Sequence, residues 1–268
     1  MPDLAKNISP KPIVLTISGH DPSGGAGIQA DAEVITHFGC HPCSIITCLT
    51  IQDSQTVHRL IPINANDLLE QAQALFNDMD IAVIKIGLTG SIECVNAIST
   101  ILKQHKNIPV IFDPVLACGD GTPLADKQLI DAIRTQLIPL TTVLTPNSIE
   151  AQQLSKLPAG TNIDELGGAL TELGAQYVLI TGGHEAETDV INRLYKNTQC
   201  VLTTTSTRLN GEYHGTGCTL ASAIAALIAQ GDSMMSAVEQ ASTYTFTSVK
   251  HAQQMGKGQR FPNRSQHD

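Results

Sequence analysis

Strand-like and helix-like segments alternate along nearly the whole chain, and this alternation limits the fold more than any other feature of the sequence. Short apolar runs such as Pro12–Ser18, Ala82–Ile86 and Tyr177–Ile180 are predicted to be strands. Between them lie segments with apolar residues at helical spacing, such as Asn64–Asn77 and Ile92–Leu102. Because strands that alternate with helices form crossover units, the pattern predicts an α/β fold, a three-layer αβα sandwich with a mostly parallel central sheet.

The composition fits one domain of this kind. The chain has 268 residues, of which 42% are hydrophobic and only 3% aromatic, with no Trp. A core of Ile, Leu, Val and Ala is typical of helices packed on a parallel sheet. Neither an internal repeat nor a linker interrupts the sequence. We therefore predict a single domain over residues 12–255, preceded by a short disordered lead (1–11) and followed by a polar coil tail (256–268).

The charge and the cysteine content exclude several classes of function. A net charge of −9 and few aromatic side chains provide neither the cationic field nor the stacking surface that nucleic-acid binding needs. No apolar run approaches the roughly 20 residues of a membrane span, and the N-terminus has no signal-peptide core. Seven irregularly spaced cysteines indicate reduced thiols in a cytoplasmic protein. Such a chain can still bind a small anion through backbone N–H groups.

Cys40 and Cys43 form a CxxC pair, which in isolation suggests zinc or redox chemistry. No second pair lies at zinc-finger spacing, and Cys48 falls within a strand-like run. A metal or redox site is therefore disfavoured here.

Ligands of such folds bind beyond the carboxyl ends of the strands, so the residues that follow each strand are the candidates for a site. The loop Gly19–Gly27 follows the first strand and either brings the backbone close to a ligand or makes a tight turn into a helix. It matches neither the dinucleotide-binding pattern nor the P-loop. Lys85, near the end of another strand, is either a phosphate contact or a strand-end lysine whose stem covers apolar surface.

Two segments with acidic side chains follow later strands. Asp113, which precedes a proline, suits either Mg²⁺ binding or an Asx turn. Asn147 and Glu150 open a helix, where they either cap the helix or supply oxygens to a nucleotide–Mg²⁺ cluster.

The sharpest local feature is HGTGC at His214–Cys218, before an Ala-rich helix. Gly-Thr-Gly at a helix start directs several backbone N–H groups at one point, where the helix dipole favours negative charge. Such groups can hold a transferring phosphoryl group. Cys218 lies in the first turn, where the pKa of a thiol is expected to fall, and the alternative is a small buried Cys in a glycine-rich turn. The order of the motif favours an anion site.

Several motifs occur together in one order along the chain. They are DPSGGAGIQAD (21–31), KIG (85–87), DPV (113–115), TPN..E (145–150), GGH (182–184) and HGTGC (214–218). In this combination the sequence resembles the hydroxymethylpyrimidine/phosphomethylpyrimidine kinase family of the ribokinase-like superfamily, over about residues 12–250. DPSGGAGIQAD with HGTGC is highly specific, whereas KIG or GGH alone would mean little.

The resemblance implies a cytoplasmic, homodimeric enzyme of thiamine biosynthesis that uses ATP and Mg²⁺. It would phosphorylate 4-amino-5-hydroxymethyl-2-methylpyrimidine on its alcohol and then phosphorylate the monophosphate. By the same resemblance, Asp21 and Gln52 contact the pyrimidine and Gly19 lines the pocket.

The resemblance also implies a phosphate side of the site. Gly215, Thr216 and Gly217 would form the anion hole, and Cys218 would take the position of the catalytic base. Asp113 and Glu150 would hold Mg²⁺, directly or through water. The residues assigned to ATP, Mg²⁺ and the phosphates are Lys85, Asp113, Asn147, Glu150 and Thr181.

The chain departs from the family pattern at three places: Thr181 replaces the Lys that often precedes Gly-Gly, His20 replaces Thr or Ser before Asp21, and FPNR (261–264) is unfamiliar. Two other functions stay open. One is a pyridoxal kinase of the same fold. The other is a non-catalytic pyrimidine-binding regulator, which the intact Asp113, Asn147, Glu150 and HGTGC disfavour.

Overall fold

The computed structural model describes residues 11–119, 121–183 and 188–265. Within these ranges no helix is long and apolar enough to cross a membrane. The strands there are β1 (Ile13–His20), β2 (His41–Gln52), β3 (Val57–Pro62), β4 (Ile81–Ile86), β5 (Val110–Phe112), β6 (Val143–Leu144), β7 (Tyr177–Ile180), β8 (Asp189–Lys196) and β9 (Gln199–Thr207). The helices are α1 (Gly27–His37), α2 (Ala65–Asp78), α3 (Ile92–Gln104), α4 (Lys127–Gln136), α5 (Ser148–Ser155), α6 (Ile163–Glu172), α7 (Thr216–Ala229) and α8 (Met234–Lys250), with a 3₁₀ turn at Ile138–Leu140.

The strands form one sheet in the order β3-β2-β1-β4-β5-β6-β7-β8-β9. From β2 to β7 every neighbouring pair is parallel, whereas β3 at one edge and β8 and β9 at the other pair antiparallel. The mostly parallel α/β sheet predicted from the sequence is therefore confirmed. Because the central strands run in one direction, their carboxyl ends, and the loops after them, lie along a single edge of the sheet.

Helices cover both faces of the sheet, which gives the predicted three layers. On one face α2 to α6 pack against a core that includes Leu15 and Ile17, and on the other α1, α7 and α8 pack against a core that includes Val14. Successive side chains of a strand point to opposite faces, so a strand that is covered on both sides is apolar throughout. This explains why central strands such as β5 and β7 are continuous apolar runs.

Two elements match the sequence prediction residue for residue, namely β7 and α7. The sequence also predicts an antiparallel pair of strands at Val190–Tyr195 and Cys200–Thr205, and the hairpin β8–β9 confirms it. Asn197 and Thr198 at its tip both have positive φ, of 47° and 66°, as the tight turns that suit strand twist require. The sequence predicts a strand at Cys43–Leu49, and β2 is longer, since it begins at His41 and runs to Gln52.

The C-terminal segment, for which a polar coil tail at 256–268 is predicted, packs against the rest of the domain. Gln253 and Phe261 exchange backbone hydrogen bonds of 2.9 Å, and the Gln259 N–H donates to the Ser54 carbonyl at 2.8 Å. Phe261 is buried. The described part of the tail, up to Ser265, thus belongs to the domain. The predicted lead at 1–11 lies outside the described residues, except for Lys11.

The CxxC cysteines have separate surroundings in the fold. The Cys40 thiol lies 3.6 Å from the carbonyl oxygen of Ala226, whereas the Cys43 sulfur lies 3.4 Å from the Met79 sulfur. Both side chains are buried, and both thiols are free. The surroundings of the two sulfurs are those of packing residues.

Candidate active site

A cavity of about 590 Å³ opens at the carboxyl ends of the parallel strands. Its wall contains all of the predicted site residues except Lys85. They arrive from separate elements: Asp21 follows β1, Asp113 follows β5, Asn147 follows β6, and Gly215 precedes α7. The parallel topology therefore gathers into one site residues that are far apart in the sequence.

Asp21 organises the loop after β1. Its carboxylate accepts hydrogen bonds from the Ser23 N–H (2.8 Å), the Ser23 hydroxyl (2.7 Å) and the Ala26 N–H (2.8 Å). It also lies 2.8 Å from Nε2 of His214. Burial raises the pKa of Asp21, but the hydrogen bonds from His214 and Ser23 outweigh it and hold the pKa below its ordinary value. An ionised Asp21 thus shapes the loop, with its oxygens already occupied by protein donors.

His214 is a site residue that sequence reasoning did not assign. Its Nε2 lies 3.3 Å from the side-chain amide of Gln52 as well as 2.8 Å from Asp21. Its ring packs near Phe261, with 5.7 Å between ring centroids. Because one nitrogen cannot both donate to Asp21 and accept from the Gln52 amide, His214 lies against both side chains and hydrogen-bonds to Asp21. The signal was available, because His214 opens the HGTGC motif itself.

The start of α7 faces the cavity with its backbone N–H groups. Gly215 is the N-cap, with φ of +81°, and no side chain caps the helix. The first-turn N–H groups of Thr216 and Gly217 therefore have no intrahelical partner, and the helix dipole adds positive potential there. A Cβ on Gly217 would lie 3.6 Å from Oδ1 of Asp113, so that carboxylate stands beside the helix start. The arrangement is that of an anion hole.

Cys218 and Asp113 form a buried pair next to the anion hole. The Cys218 thiol and the Asp113 carboxyl group are both desolvated. Burial raises the pKa of Cys218 to about 12, although the positive charge of Lys85 opposes the effect. The predicted fall of the Cys218 pKa is wrong, because burial outweighs the helix start. Burial likewise raises the pKa of Asp113, against the Lys85 charge and the hydrogen bond with Cys218. Oδ2 of Asp113 is buried and has no hydrogen-bond partner.

Asn147 and Glu150 form a capping box at the start of α5. The Asn147 side chain accepts from the Glu150 N–H at 2.9 Å, and Glu150 Oε2 accepts from the Asn147 N–H at 2.9 Å. Burial and the nearby Asp113 raise the pKa of Glu150 to about 8. The capping alternative is confirmed, and the cap also brings Glu150 to the cavity beside Asp113, whereas the contribution to a nucleotide–Mg²⁺ cluster stays a prediction.

These carboxylates fit a Mg²⁺ ion that is held partly by substrate phosphates. Asp113 and Glu150 are hard oxygen donors, desolvated and close enough to raise one another's affinity for a cation. The orphaned Oδ2 of Asp113 is the atom a cation or its water would satisfy. Among the described residues no group of three or more His, Cys, Asp or Glu side chains is placed to hold a metal ion, and Mg²⁺ on one or two carboxylates plus phosphates requires none.

The comparison with known families follows this geometry. A family model described as phosphomethylpyrimidine kinase matches residues 21–263.

The chain belongs to the phosphomethylpyrimidine kinase family.

Two curated relatives agree with this membership. A hydroxymethylpyrimidine/phosphomethylpyrimidine kinase of Staphylococcus aureus (strain MSSA476) is 32% identical over 255 residues, which cover 94% of this chain and 92% of that protein. The thiamine biosynthesis bifunctional protein ThiED of Geobacter sulfurreducens is 34% identical over 255 residues. That match covers 93% of this chain and 51% of the relative, so this chain spans about half the length of the bifunctional protein.

Solved structures show the same fold. A phosphomethylpyrimidine kinase from Clostridium difficile 630 has a TM-score of 0.77 and 31% identity, with 89% of this chain and 100% of that chain covered. A Bacillus subtilis pyridoxal kinase in an ADP complex has a TM-score of 0.86 and 27% identity, with 95% and 98% covered.

The position of Lys85 in this family member does not fit the phosphate contact that the sequence predicts for it. Its side chain is fully buried, and its ammonium lies 2.8 Å from Oδ1 of Asp31 and 3.0 Å from Oδ2. Asp31 also accepts from the hydroxyls of Thr16 (2.5 Å) and Ser222 (2.7 Å). Lys85 therefore neutralises a buried carboxylate beneath the site and affects Cys218 and Asp113 only through its charge.

Thr181 lies on the cavity wall of the kinase, where many family members were expected to carry Lys. Its N–H donates to the Pro146 carbonyl at 3.0 Å, which ties the end of β7 to the segment before Asn147. Arg208 donates to the carbonyls of Gly183 (2.7 Å) and Gly182 (3.0 Å), and sequence reasoning did not assign it. His184 of the GGH motif lies outside the described residues.

Proposed function

We propose that the chain transfers the γ-phosphoryl group of ATP to the hydroxymethyl oxygen of 4-amino-5-hydroxymethyl-2-methylpyrimidine, and then phosphorylates the monophosphate to the diphosphate. The observation that carries the proposal is one cavity that holds a half-buried amide, Gln52, and an uncapped helix start, Gly215–Cys218. The amide suits the amino group and ring nitrogen of a pyrimidine, and the helix start suits a phosphoryl group. The names of the relatives in thiamine synthesis support the same substrate.

In this proposal the backbone N–H groups of Gly215–Gly217 stabilise the charge on the transferring phosphoryl group. Phosphoryl transfer passes through a loose transition state, so positioning and charge stabilisation supply most of the rate. Asp113 and Glu150 would hold Mg²⁺, which neutralises the phosphates of ATP when it is bound. Asn147 and Thr181 line the same side of the cavity and have polar groups that suit the nucleotide phosphates.

The proton of the acceptor leaves through Cys218 and Asp113. The thiol is protonated at rest, because its pKa is about 12. As the acceptor oxygen bonds to phosphorus and the bond from phosphorus to ADP breaks, the alcohol proton moves to Sγ while the thiol proton moves to the Asp113 carboxylate. Neither step needs a resting thiolate, and the hydrogen bond between Cys218 and Asp113 supplies the path.

The test is ATP consumption with Mg²⁺ and three separate acceptors: the hydroxymethylpyrimidine, its monophosphate and pyridoxal. Turnover of both pyrimidines is the expected result. Turnover of pyridoxal alone would instead support the second candidate, which the pyridoxal kinase of B. subtilis favours through its TM-score of 0.86. Binding of the pyrimidine without any turnover would support a regulator.

Replacing Gln52 with methionine is expected to raise the KM of the pyrimidine at least tenfold, with the KM of ATP unchanged. Methionine has a similar volume but lacks the amide, so the polar edge of the ring loses its partner. Steady-state kinetics with each substrate varied measures both constants. Gln55→Met is the matched control, because Gln55 is exposed three residues away. An equal rise in both KM values would contradict the assignment.

Replacing Asp113 with asparagine is expected to raise the Mg²⁺ concentration for half-maximal activity about tenfold, because the amide has no charge to hold a hard cation. The kcat at saturating Mg²⁺ should fall as well, because the amide cannot accept the proton of Cys218. The fold should survive, since ionised Asp113 is disfavoured by burial. A MgCl₂ titration of activity measures the shift, with the exposed Asp67→Asn as control. A Mg²⁺ dependence equal to that of the parent would remove Asp113 from the metal site.

Localisation in the cytoplasm and a homodimeric state belong to the same proposal. The seven cysteines are free thiols, as a reducing compartment allows.

Leu49, Ile51 and Ile61 expose apolar surface where β2 and β3 form one edge of the sheet. Such a patch is typical of a subunit contact. Light scattering after size exclusion measures the mass, and a monomer at micromolar concentration would contradict the dimer.

A further inference from the structure

Arg264 is a buried cation in the C-terminal segment, one residue beyond the stretch that the family model matches. Only 3% of its surface is exposed. Nε donates to Oγ1 of Thr219 at 2.9 Å, Nη2 donates to the Gly25 carbonyl, and Nη1 lies 3.4 Å from the Gly24 carbonyl. Nη1 also meets Glu33 Oε2 at 3.2 Å. One side chain therefore joins the loop after β1 to the first turns of α7.

The connection continues to the anion hole. Thr219 accepts from Arg264 and donates its own hydroxyl to the Gly215 carbonyl at 2.8 Å, while its N–H donates to the same carbonyl at 3.0 Å. Gly215 sits in the left-handed region, and a Cβ there would collide with the Gly25 carbonyl and lie 2.7 Å from Nη2 of Arg264. The three segments are thus in direct contact, and a shift of Arg264 must move Gly25 or Gly215.

We propose that Arg264 is a positioning residue for phosphoryl transfer, which fixes the position of the loop after β1, at Gly24–Gly25, relative to the anion hole at Gly215. The inference rests on the proposed function, since it concerns the same site. Displacing reacting groups by about 1 Å costs roughly a hundredfold in rate, so a side chain that sets this register matters to catalysis without touching substrate. Its charge, behind the start of α7, also adds to the positive end of the helix dipole.

Arginine suits this position and lysine does not. The guanidinium presents five donors in a rigid fork, which here reach two loop carbonyls, one hydroxyl and one carboxylate. A lysine ammonium has three donors on one atom and cannot span these acceptors.

The attachment of the tail does not depend on the guanidinium. The Tyr244 hydroxyl donates to the Arg264 carbonyl at 2.8 Å, and the Asn263 N–H donates to the Ser248 carbonyl at 2.9 Å. The backbone pair between Gln253 and Phe261 adds two more bonds of 2.9 Å. Truncating the Arg264 side chain therefore leaves the segment docked, so it tests positioning and not loss of the tail.

The experiment compares Arg264→Ala, Arg264→Lys and Glu33→Gln in the full chain with the acceptor that the parent turns over. We expect Arg264→Ala to lower kcat about tenfold while both KM values change less than threefold, and Arg264→Lys to recover little. Millimolar guanidinium should raise the kcat of Arg264→Ala several-fold, a rescue that a purely structural role does not produce. Glu33→Gln should stay within twofold of the parent, because Glu33 meets Arg264 from the solvent side.

A second pair keeps the test decisive if Arg264→Ala does not fold. Thr219→Val removes the hydroxyl between Arg264 and Gly215 and should lower kcat several-fold, whereas Thr219→Ser keeps it and should resemble the parent. A kcat within twofold of the parent for both Arg264→Ala and Thr219→Val, or for Thr219→Val alone where Arg264→Ala is unfolded, would overturn the inference. A parent without activity on any acceptor would instead refute the proposed function.

Discussion

Replacing Cys218 with alanine is expected to lower kcat by about a thousandfold while the KM of ATP and of the pyrimidine changes less than threefold. The thiol lies beside the start of α7, accepts a hydrogen bond from the Gly27 N–H and is hydrogen-bonded to Asp113, to which it passes a proton in the proposed mechanism. Alanine interrupts that path without removing any group that binds either substrate. Steady-state kinetics and a single-turnover measurement separate the chemical step from binding.

Serine at position 218 distinguishes the relay from thiolate chemistry. A hydroxyl can accept the alcohol proton and pass its own to Asp113, so Cys218→Ser is expected to retain about a tenth of the parent kcat. If the reaction needed a thiolate, serine would be as inactive as alanine, because its hydroxyl ionises even less readily. Equal losses in the two variants would therefore refute the relay. Near-parent turnover of Cys218→Ala would reduce Cys218 to a packing residue.

Cys94 offers a closely matched control. Like Cys218 it is buried and is the third residue of its helix, here α3, but it does not line the cavity. Its thiol lies 3.5 Å from the carbonyls of Thr47 and Ile63. Cys94→Ala should therefore cost stability as Cys218→Ala does, yet leave kcat unchanged. A matching loss of kcat would mean that packing, and not the proton path, explains the effect.

The fold and most of the cavity wall were predictable from the sequence because they depend on local patterns. The periodicity of α7 and the apolar run of β7 determine those elements without reference to the rest of the chain. Parallel topology then places the residues after each strand on one edge, which is why Asp113 and Asn147 line the same cavity as Gly215.

The remaining features depend on contacts between distant segments. The pKa of Cys218 follows burial, and burial becomes known only when α7 is seen packed on the sheet. The sequence allows Lys85 to reach a phosphate. In the structure its ammonium instead donates to the carboxylate of Asp31, which is 54 residues away in the sequence. The sequence of the C-terminal segment predicts a polar coil, yet Arg264 donates hydrogen bonds to Gly25 and Thr219. These contacts join segments far apart in the chain, and no periodicity in the sequence predicts them.

The largest expected effect on stability comes from Lys85. Lys85→Met should lower the free energy of unfolding by about 3–5 kcal/mol, because it leaves the Asp31 carboxylate buried without its counter-charge. Asp31 would keep only the hydroxyl donors of Thr16 and Ser222. Urea denaturation at constant pH measures the change. Removing both charges in Lys85→Met/Asp31→Asn should recover at least half of the loss, since a neutral pair costs far less to bury.

Lys156 and Asp131 form an ion pair of the same residue types on the surface, with both side chains half exposed. Lys156→Met should therefore change the free energy of unfolding far less than Lys85→Met, because water already solvates the partner that remains. Losses of similar size at the two positions would contradict the account, as would a double variant less stable than Lys85→Met.

The pH dependence of stability gives a second reading of the same pair. Burial lowers the pKa of Lys85, but the charge of Asp31 outweighs it and raises the pKa above the ordinary value of lysine. A raised lysine pKa contributes stability that is complete below the pKa of the unfolded chain and is lost as pH rises through the folded value. The difference in unfolding free energy between the parent and Lys85→Met/Asp31→Asn, which lacks both titratable groups, should therefore stay constant from pH 6 to about pH 9 and shift against the parent only in more alkaline solution. A difference that shifts near neutral pH would mean that the buried ammonium is not the charged partner of Asp31.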